Sequence, residues 1–255
     1  MFSLEEDYWW YRALRRRIAR ALERAGALPS RGDASSRPPR CLDAGCGSGM
    51  VLASLMPRVR AFGLDASPEA LALARSRDLT RLLRAGVEAL PLKGDTFDIM
   101  ISADVLYHRG VADDRAALRE AGRCLRPGGV LVVNLPAFSW LRSSHDEAIH
   151  TARRYTAREV RAKLRAAGLR PLRVRYWNSL LFPLWALIRL MRRPGRQAGQ
   201  DVPESDLAAL PRWLNRTLEM LLALEEACDF IPWPAGLSIL AVARKEEQGP
   251  PEVGS

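Results

Sequence analysis

Lysine is almost missing from this chain. Lys93, Lys163 and Lys245 are the only three, yet basic residues total 39 against 29 acidic ones, for a formal charge of +10. The surplus is therefore arginine, and it is spread along the chain rather than massed in one block. That distribution favours solvated surface over a polyanion-binding patch, and no nucleic-acid partner is expected. Histidine is equally scarce, at His108, His145 and His150. The four cysteines, Cys41, Cys46, Cys124 and Cys228, form no C-x-x-C pair and have no histidine at ligand spacing. A structural zinc site is thereby excluded and no metal is expected. The uncharged apolar stretch Tyr176 to Ile188 is too short to span a bilayer and is interrupted by Pro183. The opening residues Met1 to Asp7 are acidic and lack the apolar core of a secretory signal, so a reducing cytoplasm is expected.

Nearly half the residues are apolar, ample for one substantial core at this length. Residues 5 to 26 read as a helix, with Leu14, Ile18, Ala21, Leu22 and Ala25 at helical spacing. A Ser, Pro and Gly-rich loop follows, to Pro39. Seven short apolar runs then read as strands: 40–44, 61–65, 82–86, 97–102, 130–135, 172–177 and 237–243. Between them lie helices, one opened by Ser67 as N-cap and Pro68 at its first position, others near 113–124 and 156–167. This alternation predicts an α/β fold with a doubly wound, mostly parallel seven-stranded sheet and helices on both faces. The expected organisation is a single unit with an N-terminal helix and loop (1–39), a core (40–177), an apolar helical C-terminal insertion (178–232), a last strand (233–244) and a disordered tail (245–255). The insertion admits three readings: a lid, a homo-oligomer interface, or a peripheral membrane contact flanked by Arg175, Arg189, Arg192 and Arg193.

The first strand runs into Leu42-Asp43-Ala44-Gly45-Cys46-Gly47-Ser48-Gly49. Glycines let the backbone turn tightly and approach a ligand, and the next helix aims its N-terminus there. A dinucleotide fingerprint needs G-x-G-x-x-G, and Met50 stands where its third glycine belongs. Asp65 ends the second strand, where a carboxylate can accept hydrogen bonds from ribose hydroxyls. With Gly63-Leu64-Asp65-Ala66-Ser67, Val87-Glu88-Ala89-Leu90-Pro91, Phe97-Asp98-Ile99-Met100 and Leu125-Arg126-Pro127-Gly128-Gly129, these segments resemble the class I S-adenosylmethionine-dependent methyltransferases, in that family's order and spacing. The resemblance implies a Rossmann-like fold and S-adenosylmethionine as cofactor, leaving S-adenosylhomocysteine as product. It implies that Asp43, Gly45, Cys46, Gly47 and Gly49 hold the methionine part, and that Asp65 and Ala66 lie at the ribose and adenine. Val87 and Glu88 would flank the adenine, and Ala103 would close the pocket. Gly86 stands where the family often has an acid for the adenine amino group, which shifts that duty to Glu88 or to backbone. Tyr8-Trp9-Trp10-Tyr11-Arg12, Arg153-Arg154-Tyr155-Thr156 and Asn178-Ser179-Leu180-Leu181-Phe182-Pro183 resemble a bacterial small-molecule subgroup.

The methyl acceptor is expected to be a small molecule, and the apolar insertion points to a hydrophobic one. Asp104-Val105-Leu106-Tyr107 occupies the place of the Asn-Pro-Pro-Tyr run found in family members that methylate amide or exocyclic nitrogens. A general base is needed only for an acceptor that loses a proton. His145 is the first candidate, with Asp146 orienting a neighbouring histidine, then His108; Tyr155 and Arg154 are candidates for positioning the acceptor.

Overall fold

The computed structural model describes residues 7–29, 37–142, 146, 150–191 and 210–247. Seven strands, β1 (Arg40–Ala44), β2 (Arg60–Asp65), β3 (Leu82–Arg84), β4 (Phe97–Ala103), β5 (Leu125–Pro136), β6 (Leu169–Trp177) and β7 (Ser238–Lys245), form one sheet in the order β3-β2-β1-β4-β5-β7-β6. Only β7 runs against its neighbours, pairing antiparallel with both β5 and β6. The helices are α1 (Trp9–Arg24), α2 (Met50–Leu55), α3 (Pro68–Arg75), α4 (Asp114–Cys124), α5 (Ala157–Ala166), α6 (Phe182–Met191) and α7 (Arg212–Ala227).

Strand periodicity sorts the core into two layers. Ile99, Ile101, Val130, Val132 and Val242 turn to the face covered by α1, α2, α3 and α7. Met100, Leu131, Val133, Ala241 and Ala243 turn to the face covered by α4 and α5. Both faces are dry, so the central strands read as continuous apolar runs. The expected helix starts are made as the sequence requires. Ser67 Oγ accepts from Ala70 N at 3.1 Å, and Thr156 and Glu159 form a reciprocal capping box. Two strands are longer than the hydropathy suggests: β5 already begins at Leu125, with the Arg126–Gly129 turn bulging out of its pairing with β4, and β6 begins at Leu169. β3 stops at Arg84, short of Gly86.

The arginines of α1 are not simply solvated. Arg12 and Arg16 reach Glu219, Arg17 reaches Glu225 at 3.0 Å, Arg20 reaches Glu226 at 3.1 Å, and Arg24 pairs with Asp229. Thus α1 and the C-terminal helix α7 are zipped by charge across about 200 residues of sequence. Most rungs are half-exposed and contribute little each. Arg17–Glu225 differs, because both partners are buried and Arg17 also lies over the Trp177 ring, 5.0 Å from its centroid. Glu225 further accepts the backbone N–H groups of Asn178, Ser179 and Leu180, which fixes where the apolar insertion leaves β6. Of that insertion, α6 and α7 are described; Arg192, Arg193 and the tail from residue 248 lie outside the described residues. No helix among the described residues is long and apolar enough to cross a membrane.

Candidate active site

The carboxyl ends of β1, β2, β4 and β5 converge where the strand order reverses between β1 and β4. Open parallel sheets bind ligands at that crevice. Leaving β1, Gly45 N and Cys46 N both donate to Leu64 O, at 2.7 and 2.9 Å, locking the turn onto β2. Gly45, Gly47 and Gly49 all have positive φ. At Gly45 a Cβ would lie 2.2 Å from Val105 Cγ2, so the turn lies directly against the loop that follows β4. At Gly47 a Cβ would meet nothing within 4 Å: this part of the turn faces open space.

Under the turn lies Asp43, 1% exposed, with Oδ1 lacking any hydrogen-bond partner. Burial, reinforced by Asp65, pushes its carboxyl well above the ordinary range. A buried carboxylate without a partner is costly, and a cationic or N–H-bearing ligand in the open space above would relieve it. Asp65 is more firmly placed: its two oxygens accept from Gly47 N at 2.8 Å and Ser67 N at 2.9 Å, tying the glycine turn to the start of α3. Each oxygen keeps a second lone pair for a ligand hydroxyl. The donor set therefore fits the methionine and ribose parts of S-adenosylmethionine.

The remaining cofactor-side candidates divide. Ala66 is exposed and Ala103 half-buried, both at strand ends on the crevice. Val87 is 7% exposed and packs in the core layer that includes Leu64 and Leu90. Glu88 Oε1 accepts from Asp113 N at 2.6 Å, so it supports the residue that caps α4. The Cys46 thiol is buried, which raises its pKa and keeps it protonated.

On the acceptor side the catalytic candidates separate more sharply. His145 lies outside the described residues. His108 meets His150 edge to face at 5.6 Å, and burial followed by His150 lowers its pKa, leaving it neutral at pH 7. Asp146 is gripped by Arg154 through Nε at 2.8 Å and Nη2 at 3.0 Å, a two-pronged ion pair. Arg154 also donates to Ala137 O, so it braces the segment after β5. Tyr155 is a correction to the sequence reading. It is 4% exposed, and its hydroxyl lies 2.8 Å from Asp114 Oδ2 and 3.2 Å from Leu106 O. Its only proton is engaged inside the core, so it ties α4 to the loop after β4 rather than facing an acceptor.

Two features not singled out from sequence complete the crevice. Asp104 sits at φ +61 immediately after β4, and Asn134 Nδ2 donates to its Oδ1 at 3.1 Å. After β5, Phe138 stacks on Tyr176 at 5.0 Å and gathers Trp140 and Phe182 into an aromatic cluster. The signals were an asparagine inside the apolar run of β5 and an acid one residue past a strand.

A family profile described as "Methyltransferase domain" matches residues 42–133, from β1 through most of β5. The malonyl-[acyl-carrier protein] O-methyltransferase of Dechloromonas aromatica is 31% identical over 79% of this chain and 76% of its own. The chain belongs to the class I S-adenosylmethionine-dependent methyltransferases. A trans-aconitate 2-methyltransferase of Deinococcus radiodurans is 34% identical over 48% of this chain. The chain spans less than half the length of that relative and of several other curated proteins that it matches. Among solved structures, the [4+2]-cyclase SpnF superposes with a TM-score of 0.57 at 21% identity, over 94% of this chain and 84% of that one. That likeness is one of fold, and it shows that this methyltransferase architecture also hosts other chemistry.

Proposed function

We propose that this methyltransferase passes the methyl group of S-adenosylmethionine, by in-line displacement, to a small acceptor of hydrophobic character, such as a natural product, a metabolite or a lipid-linked intermediate. The observation that carries the reading is the open glycine turn above Asp43, whose buried Oδ1 has no partner, together with the aromatic cluster that follows β5. When bound, the cofactor supplies a methyl carbon on a positively charged sulfur. The chain supplies alignment and a dry surround: Asp43 and the Gly45–Gly49 backbone hold one end, Asp65 the ribose. Phe138, Trp140, Tyr176 and Phe182 offer an apolar wall to the acceptor. Next to them α6 exposes Leu184, Trp185 and Leu187, each about half accessible, which suits a lid over an apolar acceptor. In this reading the whole chain is one catalytic unit, with the 178–232 insertion serving the acceptor.

Titration calorimetry with S-adenosylmethionine and S-adenosylhomocysteine tests it. Both should bind in the micromolar range, and Asp65→Ala should weaken binding by about 1–3 kcal/mol. A folded protein, verified by thermal melting, that binds neither would leave only a scaffold role for the fold. An acceptor screen that turns over hydrophilic compounds alone would remove the apolar-acceptor part.

A further inference from the structure

Asp104 stands out among the acid groups of the crevice because so much structure holds it in place. Its backbone takes the left-handed region, at φ +61, a conformation uncommon outside glycine and concentrated at functional sites. Its N–H donates to Asn134 O, and Asn134 Nδ2 donates to its Oδ1 at 3.1 Å. Asn134 is fully buried, and Trp177 Nε1 donates to its Oδ1 at 2.9 Å. Trp177 in turn stacks on Trp10 of α1 at 5.7 Å. The relay runs from the aromatic start of α1 through the last parallel strand to one carboxylate. On the other side, the next residue, Val105, fills the space over Gly45. Asp104 thus stands between the cofactor turn and the acceptor wall.

Its charged surroundings are one-sided. Tyr107, three residues along the same turn, faces Asp104 itself, Tyr11 of α1 and the Asp146–Arg154 pair. Further round the crevice lie Asp43, Asp65, and His108 with His150. The nearby cations are engaged: Arg142 donates to Thr151 O and Ala152 O, Arg153 to Leu106 O and Ala112 O, Arg154 to Asp146 and Ala137 O. A carboxylate acceptor would meet a like charge there whenever Asp104 is ionised, and those arginines already have other partners.

Resting on the methyltransferase reading above, we propose that Asp104 is the proton-accepting residue of the acceptor site, and that it selects a hydroxyl acceptor over a carboxylate. As the acceptor oxygen forms its bond to the methyl carbon, the carbon–sulfur bond breaks and its electron pair stays on sulfur. The hydroxyl proton passes to Asp104 and from there to water. Burial, opposed by the Asn134 hydrogen bond, lifts the Asp104 carboxyl to about 7, which suits a group that takes and releases a proton at neutral pH. This departs from the relatives whose names give malonyl-[acyl-carrier protein] and trans-aconitate, both carboxylate compounds.

The test uses the full chain, wild type and Asp104→Asn. The carboxyl carbon-13 resonance of Asp104, assigned by its loss in the variant, should titrate near neutrality in the ligand-free protein; a midpoint in the ordinary carboxylate range overturns the proposal. With S-adenosylhomocysteine saturating, wild type should bind catechol about tenfold or more tighter than benzoate, and the variant should lose that preference. Equal binding of the two probes by wild type, or an unchanged ratio in the variant, overturns it. On a phenolic acceptor the variant should lose about 100-fold in kcat/KM and the acid limb of the pH profile; an unmoved profile overturns it. Homocysteine-form binding within twofold of wild type separates this result from failure of the cofactor site itself, since wild type that binds no cofactor would refute the broader reading, and this one with it.

Discussion

Asp43→Asn should make the ligand-free protein more stable while weakening cofactor binding. Asp43 is 1% exposed, its Oδ1 has no partner, and burial with help from Asp65 raises its pKa well above 3.8. A raised folded-state pKa means that folding favours the protonated carboxyl. The group therefore costs nothing below its unfolded pKa, and stability is lost as pH rises through the folded value. Leaving a buried polar group unsatisfied costs about 1–3 kcal/mol, more for a charged one. The isosteric amide removes the charge but keeps the volume, so a gain of about 1–2 kcal/mol is expected at about pH 8. In a domain of this size that raises Tm by roughly 3–6 °C. At about pH 4 the wild-type carboxyl is protonated and the gain should shrink toward zero. Thermal melts of both proteins across this range, with and without S-adenosylhomocysteine, are the assay. Wild type should gain stability from the ligand by mass action and the variant little. A variant less stable than wild type at every pH would refute the reasoning, as would a gain that ignores pH.

Glu225→Ala should be among the most damaging single changes, at about 3–5 kcal/mol in urea unfolding, since it strands buried Arg17 and the N–H groups of Asn178, Ser179 and Leu180. Gly45→Ala should cost about 1–3 kcal/mol more than Gly47→Ala, because only the former drives a Cβ into Val105; Val105→Ala should recover part of the loss, again by urea unfolding. Gly47→Ala should instead show its effect in calorimetry, as weaker cofactor binding. Tyr155→Phe should lose about 1 kcal/mol of stability and leave kcat/KM per folded molecule unchanged, because Asp114 keeps its contact with Lys163 at 2.7 Å.

What was legible followed from short-range physics. The β1 boundaries, the Ser67 cap and the glycine turn are written in consecutive residues, so local pattern located them. The extension of β5 back to Leu125 was hidden because Arg126-Pro127-Gly128-Gly129 is a turn by composition; only pairing of Phe97 with Leu125 across the bulge makes it part of the strand. The arginine-rich stretch 15–17 read as solvated surface because its partners, Glu219, Glu225 and Glu226, arrive from about 200 residues away. Composition shows that charge is present but not what it faces.

The site divides along the same line. Residues that touch a cofactor by backbone must be glycines in a fixed order, so they leave a readable word in the sequence. Residues that meet the acceptor are single side chains set by tertiary contacts, and their type alone misleads. Tyr155 looked like a positioning group until its hydroxyl was found on Asp114. Asp104, named in the sequence only as the start of a run in place of Asn-Pro-Pro-Tyr, stands out through its left-handed backbone and its Asn134 partner together. A tyrosine that satisfies the core and an aspartate held under strain differ in what they leave for a ligand: the first has no free hydroxyl proton, the second keeps an oxygen that Asn134 does not occupy. If Asp104 is the proton acceptor proposed above, acceptor choice in this chain should follow that acid after β4 more closely than the motifs that define the family, and exchanging that one position should change which acceptors are turned over.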